Sequence, residues 1–441
     1  MLNSTNIIYF IAAIGIGYCI LAKSKYLLYL FVFSIPLENM PIPGQGSIAK
    51  YAFYLLLLSY VINKIYNINR ESLFSPKLAL RSALVIAFLM SFVTITVLYS
   101  IDIPYSIERY FLLLRLLVMV FVIQDQINDF DILHSCIIAY VLSSILASLL
   151  AINNFMRGGI LTGALNYRAS AFGTSGEEAH FAASIAPSIV YLFYNVLFIR
   201  KNGAASLLRI LILVFLIVAL VVSQTRSAWL GTAIAFVILL FYKAKESKSI
   251  KPVISAIVAV SVVILIISLI NPAIMSIISF IITDRYQSAF ESGGAGRTNI
   301  WRYGIEIFKY NYLFGSGFMS FPSAFTRYYQ DVNVPGLMYG IYAGRAAHNI
   351  YLAILVETGI IGSSIALIYL VGYLYRIIKQ RNKEMVYLMI SMNMAMLTIG
   401  IFLDILNRKY FWFIIAITIA SIKLDKQMHE LSQYNENGIC I

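Results

Sequence analysis

From residue 7 to residue 270 the chain is a succession of apolar runs joined by short polar or basic links. After one long polar interval the same pattern resumes at residue 349. A helix needs roughly 20 mostly apolar residues to cross a hydrocarbon core, and shorter runs serve where protein shelters them. On that criterion the expected spans are 7–22, 26–37, 49–66, 79–100, 109–123, 132–153, 179–199, 207–222, 227–242, 252–270, 349–375, 385–404 and 409–422. The expected fold is therefore an all-α integral membrane protein. It is a polytopic bundle of about 12–14 transmembrane helices with one large outer-face loop between late helices.

Composition closes off the soluble alternative. Of 441 residues 60% are hydrophobic and 12% charged, with a mean hydropathy of +0.82. That much apolar surface exceeds what one soluble core can hide. The net charge of +13 then has to be divided between two sides of a bilayer before it says anything about partners. Cys19, Cys136 and Cys440 lie too far apart for a metal spacing or an evident disulfide framework. No basic residue precedes the run from Ile7 to Ala22 and no small-residue cleavage site follows it, so a retained first helix is expected.

Basic residues in short loops mark the cytoplasmic side. Lys23 and Lys25, Lys64 to Arg81, Arg200 to Arg209, Lys243 to Lys251, Arg376 to Lys383, and Lys423 with Lys426 fall on one face when the spans alternate. Only the acidic loop Gln124 to Asp131 gives that face no support. The expected division is 1–270 as a first set of spans, 271–347 as a large outer loop with short helices, 348–422 as the last spans, and 423–441 as a polar, poorly ordered cytoplasmic tail.

The outer face is rich in arginine instead: Arg109, Arg157, Arg168, Arg226, Arg285, Arg297, Arg302, Arg327, Arg345 and Arg408, against Lys50, Lys309 and Lys409. Guanidinium grips phosphate or carboxylate bidentately and is desolvated more easily than ammonium, so the set points to an anionic ligand near the membrane surface. The competing reading pairs these arginines with Asp284, Glu291, Glu306 and Asp331.

Three positions are sharper. Arg226 sits in a turn of only a few residues, Ser223-Gln224-Thr225-Arg226, so it is held at the interface. Snorkelling is its other explanation. Arg297 follows Gly293-Gly294-Ala295-Gly296 and precedes Thr298, an expected N-cap for a helix through about Lys309; a helix start beside an arginine suits a phosphate. His348 stands where the outer loop re-enters the membrane. Three- and four-residue spacing would set it on one helix face with Arg345 and Asn349. Histidine moves protons near neutral pH, although a lone one is commonly structural. His134, His180 and His429 are weaker candidates, and no pair has a zinc spacing.

Ser223 to Leu230, Gly296-Arg297 with Trp301, Gly315-Ser316-Gly317-Phe318 with Phe321, Ala347-His348-Asn349-Ile350-Tyr351-Leu352, and Glu357-Thr358-Gly359-Ile360-Ile361-Gly362 together resemble the conserved blocks of the O-antigen ligase and polymerase superfamily. The resemblance covers roughly residues 160–375. It implies a GT-C-like glycosyltransferase of the bacterial plasma (inner) membrane with its active site on the periplasmic face. Its donor would be a glycan on undecaprenyl diphosphate, and its acceptor a glycan or lipid-linked glycan. Membrane lipid surrounds it, a flippase and a chain-length regulator are conceivable partners, and neither a metal nor another cofactor is implied. By the same resemblance Arg226 and Arg297 hold the donor diphosphate and His348 is the essential histidine. Arg345, Arg168, Asn349, Trp301, Glu177 and Glu178 fall in the expected substrate-binding set. The segment Arg168 to His180 departs from the usual asparagine-proline wording at Thr174-Ser175-Gly176-Glu177-Glu178.

Polymerase and ligase share this machinery. The single histidine of Ala347-His348-Asn349 leans toward polymerase, because ligases often carry a second one nearby. A transporter or flippase of an anionic solute is the alternative of another class, kept open by Arg115 and Glu357 inside apolar runs. Nothing in the chain indicates nucleic-acid binding, since the basic tracts are short membrane-flanking loops and no phosphate loop follows a strand.

Overall fold

The computed structural model describes residues 24–38, 47–66, 92–160, 168–171, 177–199, 203–251, 297–332 and 344–436, with isolated positions 254, 279 and 283. The expected spans 7–22 and 252–270, most of 79–100, the turn Gly293–Gly296, Thr174 to Gly176, Arg285, Asp284, Glu291, Cys19 and Cys440 lie outside the described residues or nearly so.

All regular structure among the described residues is helical. The helices are α1 Ser24–Ser34, α2 Ile48–Tyr66, α3 Ile103–Gln126, α4 Phe130–Phe155, α5 Glu178–Phe198, α6 Ala204–Val222, α7 Arg226–Ser247, α8 Arg297–Tyr310, α9 Phe321–Val332, α10 Ile350–Ile378, α11 Lys383–Gly400 and α12 Lys409–Glu436. Six of them, α2, α4, α5, α6, α7 and α10, are long and apolar enough to cross a membrane by length and composition. α3, α11 and α12 pack into the same bundle, α12 against α3 and α11 against α7. Their shared core runs from Leu28 and Phe31 through Tyr140 and Ile189 to Met389 and Phe413. This is the polytopic all-α membrane bundle that the apolar runs imply.

Polar caps set several helix starts. Asp102 accepts from Tyr105 N at 3.2 Å, Asp129 from Ile132 N at 2.6 Å, and Asn382 from Met385 N at 3.2 Å. Each occupies one of the donors that the first turn leaves without an intrahelical partner.

Contacts between distant segments sort the chain ends into two faces. At one, Lys64 pairs with Asp125 at 3.0 Å, Lys423 donates to the carbonyls of Gln124 and Ile127, and Arg381 N reaches Asp425. The acidic loop that gave the charge pattern no support is thus tied to lysines from neighbouring ends, Asp125 by Lys64 and its backbone by Lys423. At the other face Lys409 pairs with Glu38, Arg408 with Glu177, and Asp102 with Ser323. The tail is a correction to the expected disorder: α12 continues to Glu436, helped by the Lys426–Glu430 pair one turn apart.

The arginine-rich face carries a small second cluster. α8 buries Ile300, Gly304 and Ile307 at helical spacing and packs with Phe321, Phe325, Leu352 and Val356. Beneath it α10 is broken at Gly359, where φ is +65°. The 312–318 loop fills that break: Ser316 N donates to Val356 O at 2.9 Å, Gly317 N to Glu357 O at 2.9 Å, and Ile360 N to Tyr312 O at 2.8 Å. A Cβ on Gly359 would lie 2.2 Å from Leu313 O. Glu357 completes this glycine lock, its Oε1 accepting from Phe321 N at 3.2 Å at the start of α9.

Candidate functional site

Two helix starts meet at one cleft. α7 begins with Arg226-Ser227 and α8 with Arg297-Thr298. The cleft of about 320 Å³ between them is lined by those four residues with Leu230, Trp301 and Phe402. Each start presents amide N–H groups without intrahelical partners and the positive end of a helix dipole. Thr298 is therefore not the cap the sequence indicated; the helix already runs from Arg297, and Thr298 lies in its first turn.

The α7 start is fixed from below. Gln224 takes a φ of +51°, Trp229 Nε1 donates to Leu220 O at 2.9 Å, and Ala169 N donates to Val222 O at 3.1 Å. The short segment 168–171 so lies against the end of α6, and Arg168 Nη2 donates to Thr225 Oγ1 at 3.2 Å, beside Arg226. Glu178 balances Arg168 at 3.8 Å.

Arginines crowd the cleft. Burial, with the neighbouring charges of Arg226 and Arg168, draws the Arg297 guanidinium below its ordinary value. Arg168 is lowered by burial and by Arg226, while Glu178 works the other way. Among the described residues the Arg297 side chain makes no hydrogen bond or ion pair. Arg302 lies on the exposed side of α8 and does not line the cleft. Half-buried like-charged groups are relieved by an anion, and helix starts are suited to hold one.

The loop into α10 is clamped on both sides of His348. Trp301 Nε1 donates to Ala347 O at 3.0 Å, and Asn349 Oδ1 caps α10 by accepting from Tyr351 N and Leu352 N at 3.0 Å. Between them His348 sits at φ +48°, a left-handed conformation that costs a non-glycine residue about 1 kcal/mol. The expected common helix face for Arg345, His348 and Asn349 is therefore corrected: residues 345–349 are not helical, because Asn349 starts the helix behind them. The Asn349 side-chain oxygen is engaged in the cap. Burial, then Arg297, then Arg345 push the His348 imidazole down to about 4, so it is neutral at pH 7 and able to accept a proton.

The structure thus brings Arg226, Arg297 and Trp301 to one cleft, with Arg168 and His348 within electrostatic reach. Arg345 is exposed beside the loop. Glu177 turns away to Arg408, whose Nη2 lies 3.4 Å from its Oε1. Sequence reasoning missed Phe402, whose ring centroid lies 6.0 Å from that of Trp301; a phenylalanine in an interhelical turn carries no signal of its own. Arg115 and Glu357, the two residues favouring transport, are placed apart from the cleft. Arg115 is exposed and its Nε donates to Phe111 O at 3.3 Å, whereas Glu357 is buried in the glycine lock. Among the described residues no group of three or more His, Cys, Asp or Glu is placed to hold a metal ion.

Residues 211–367 match the family model described as O-antigen ligase, an interval that contains the cleft arginines, Trp301, His348 and the glycine lock. A comparison with curated proteins finds no match.

Proposed function

From the O-antigen ligase family match at residues 211–367, which supports the O-antigen ligase/polymerase superfamily, we propose that the chain is a membrane glycosyltransferase whose donor is a glycan on undecaprenyl diphosphate. The acceptor is a sugar hydroxyl of a growing surface polysaccharide. The observation that carries this reading is the cleft where Arg226 and Arg297 stand at two helix starts, with the Arg297 guanidinium half-buried beside the charges of Arg226 and Arg168.

In the displacement the acceptor oxygen bonds to the anomeric carbon as the bond from that carbon to the diphosphate breaks. The electron pair leaves with the diphosphate, and the acceptor proton passes to the His348 imidazole. Arg226, Arg297 and the two helix starts stabilise charge growing on the leaving group, a kind of electrostatic help worth roughly 2.7–4 kcal/mol for a well-placed donor. Holding both partners in line supplies the rest. His348 has its basicity held down by burial, then by the charges of Arg297 and Arg345. A bound diphosphate offsets that charge, so the imidazole becomes a stronger base when the donor is in place.

The arginine-rich face is then periplasmic and the lysine-rich face cytoplasmic, in the plasma membrane. Between the two activities of the superfamily the single histidine of Ala347-His348-Asn349 favours polymerase. The test is the glycan profile of a strain lacking the protein, complemented with wild type, Arg297→Ala or His348→Ala. A single repeat unit on the acceptor supports polymerase; long chains retained on undecaprenyl diphosphate identify a ligase instead. An unchanged profile, or full rescue by both variants, sinks the transferase reading.

A further inference from the structure

A second polar pocket lies on the same face, lined by Glu38, Ser170, Glu177, His180, Arg408 and Tyr410 among others. It is built from three stretches remote in sequence, 35–38, 170–184 and 408–410. Its carboxylates are already balanced: Lys409 pairs with Glu38 and Arg408 with Glu177. His180 Nδ1 and the Tyr410 hydroxyl are 3.0 Å apart. The segment carrying Ser170 is held by Asn154 Nδ2, which donates to Ser170 O at 3.0 Å and Ala171 O at 3.1 Å.

Two buried polar atoms of residues that line this pocket lack partners among the described residues. Ser170 is 2% exposed and its Oγ makes no hydrogen bond, and Arg408 Nε is buried without an acceptor although the same guanidinium holds Glu177. Buried polar atoms left unsatisfied cost free energy, and such groups are ordinarily matched by a ligand or water. The free space is about 20 Å³, enough for one water or one hydroxyl. An anion would meet two carboxylates there, and an apolar group would leave the buried donors unmatched. A hydroxyl donates to a carboxylate while accepting from Arg408 Nε or Ser170 Oγ, and so fits both sets.

The pocket is linked to the arginine cleft through adjacent residues. Glu177 faces Arg408 in the pocket, whereas Glu178 faces Arg168, which holds Thr225 beside Arg226. We propose that the Ser170, Glu177 and Arg408 pocket is a specificity subsite that receives one hydroxyl of the acceptor sugar. This rests on the transferase reading above. Ser170, Glu177 and Arg408 act there as positioning residues, setting which acceptor is held in register with the donor.

The experiment uses the full-length protein in membrane vesicles of its own host, with lipid-linked glycan extracted from that host as donor and acceptor. Undecaprenyl diphosphate serves as the separate binding probe. Ser170→Val fills the space and removes the hydroxyl; Ser170→Ala removes the hydroxyl alone and guards against a misfolded valine variant. The expected result is an acceptor KM raised about tenfold in the valine variant and several-fold in the alanine variant, a near-normal kcat at saturating acceptor, and unchanged binding of undecaprenyl diphosphate. An acceptor KM unchanged in both variants means that the pocket holds a structural water only and overturns the proposal. Weaker binding of undecaprenyl diphosphate overturns it too, by assigning the pocket to the donor. Arg226→Ala in the same vesicles separates the two levels: if it transfers glycan at the wild-type rate, the transferase reading itself has failed.

Discussion

The arginine cleft and the glycine lock treat polar groups in opposite ways. In the lock the backbone groups and the Glu357 carboxylate find partners within the protein: Ser316 N, Gly317 N and Ile360 N meet backbone carbonyls, and Glu357 meets Phe321 N. In the cleft the Arg297 side chain has no hydrogen-bonding partner among the described residues and two helix starts face open space, and nearby a histidine is held in a left-handed backbone conformation. The two cleft arginines and the lock lie within the same family-matched interval. Satisfied groups build and unsatisfied groups bind, so the difference lets chemistry be told from architecture where a motif alone cannot.

The contrast is broken most directly by one substitution in each region. Arg297→Ala should lower glycan transfer by about 100-fold or more, since the lost contact acts on the leaving group, while leaving the unfolding temperature close to wild type. Arg302→Ala, on the exposed side of the same helix, should stay within about twofold. Gly359→Ala should do the reverse. Its Cβ would meet Leu313 O at 2.2 Å at a φ of +65°, so strain and clash should destabilise the protein by at least about 1–3 kcal/mol, with activity lost only as folded protein is lost. Thermal unfolding and transfer assays on the same samples check the pair. Equal loss of stability in the arginine variant would remove the distinction.

A second prediction sharpens the cleft alone. With its imidazole pushed down to about 4, His348 is neutral and competent above that pH and becomes protonated below it. The kcat/KM of the free enzyme should therefore fall only as pH drops through about 4. Bound undecaprenyl diphosphate should raise the His348 pKa by offsetting Arg297, and Arg297→Ala should raise it toward the ordinary 6.5. Histidine-selective NMR titration in detergent can follow this, since the chain has only four histidines. A His348 resonance that titrates at the same pH in wild type, with diphosphate and in Arg297→Ala would refute the electrostatic coupling.

The bundle was legible because hydrophobic period and length act locally, and the pairing of Arg226, Arg297 and His348 was legible only because separate blocks resembled one family. The rest depended on contacts that no periodicity encodes. Glu357 reads as a charge stranded in an apolar run, yet it serves a backbone N–H 36 residues away in sequence. Glu177 and Glu178 read as one acidic pair, but a helix start turns the first to Arg408 and the second to Arg168. The spacing of Arg345, His348 and Asn349 misled because it counts only inside a helix, and Asn349 prefers to begin one. Phe402 enters the cleft solely through packing of the α11–α12 turn against Trp301.

Trp301 joins the two regions and gives the smallest test. Its ring faces Phe402 in the cleft, and its indole N–H holds Ala347 O immediately before His348. Trp301→Phe keeps an aromatic surface but removes that donor, at a cost of about 1 kcal/mol, equivalent to roughly fivefold if it is felt wholly in the transition state. The expected outcome is a several-fold fall in kcat with unchanged binding of undecaprenyl diphosphate, because the loop that loosens carries the base and neither of the cleft arginines, Arg226 and Arg297. A fall in diphosphate binding with kcat intact would mean that Trp301 serves the donor directly, and the strained His348 loop would then owe its conformation to the Asn349 cap alone.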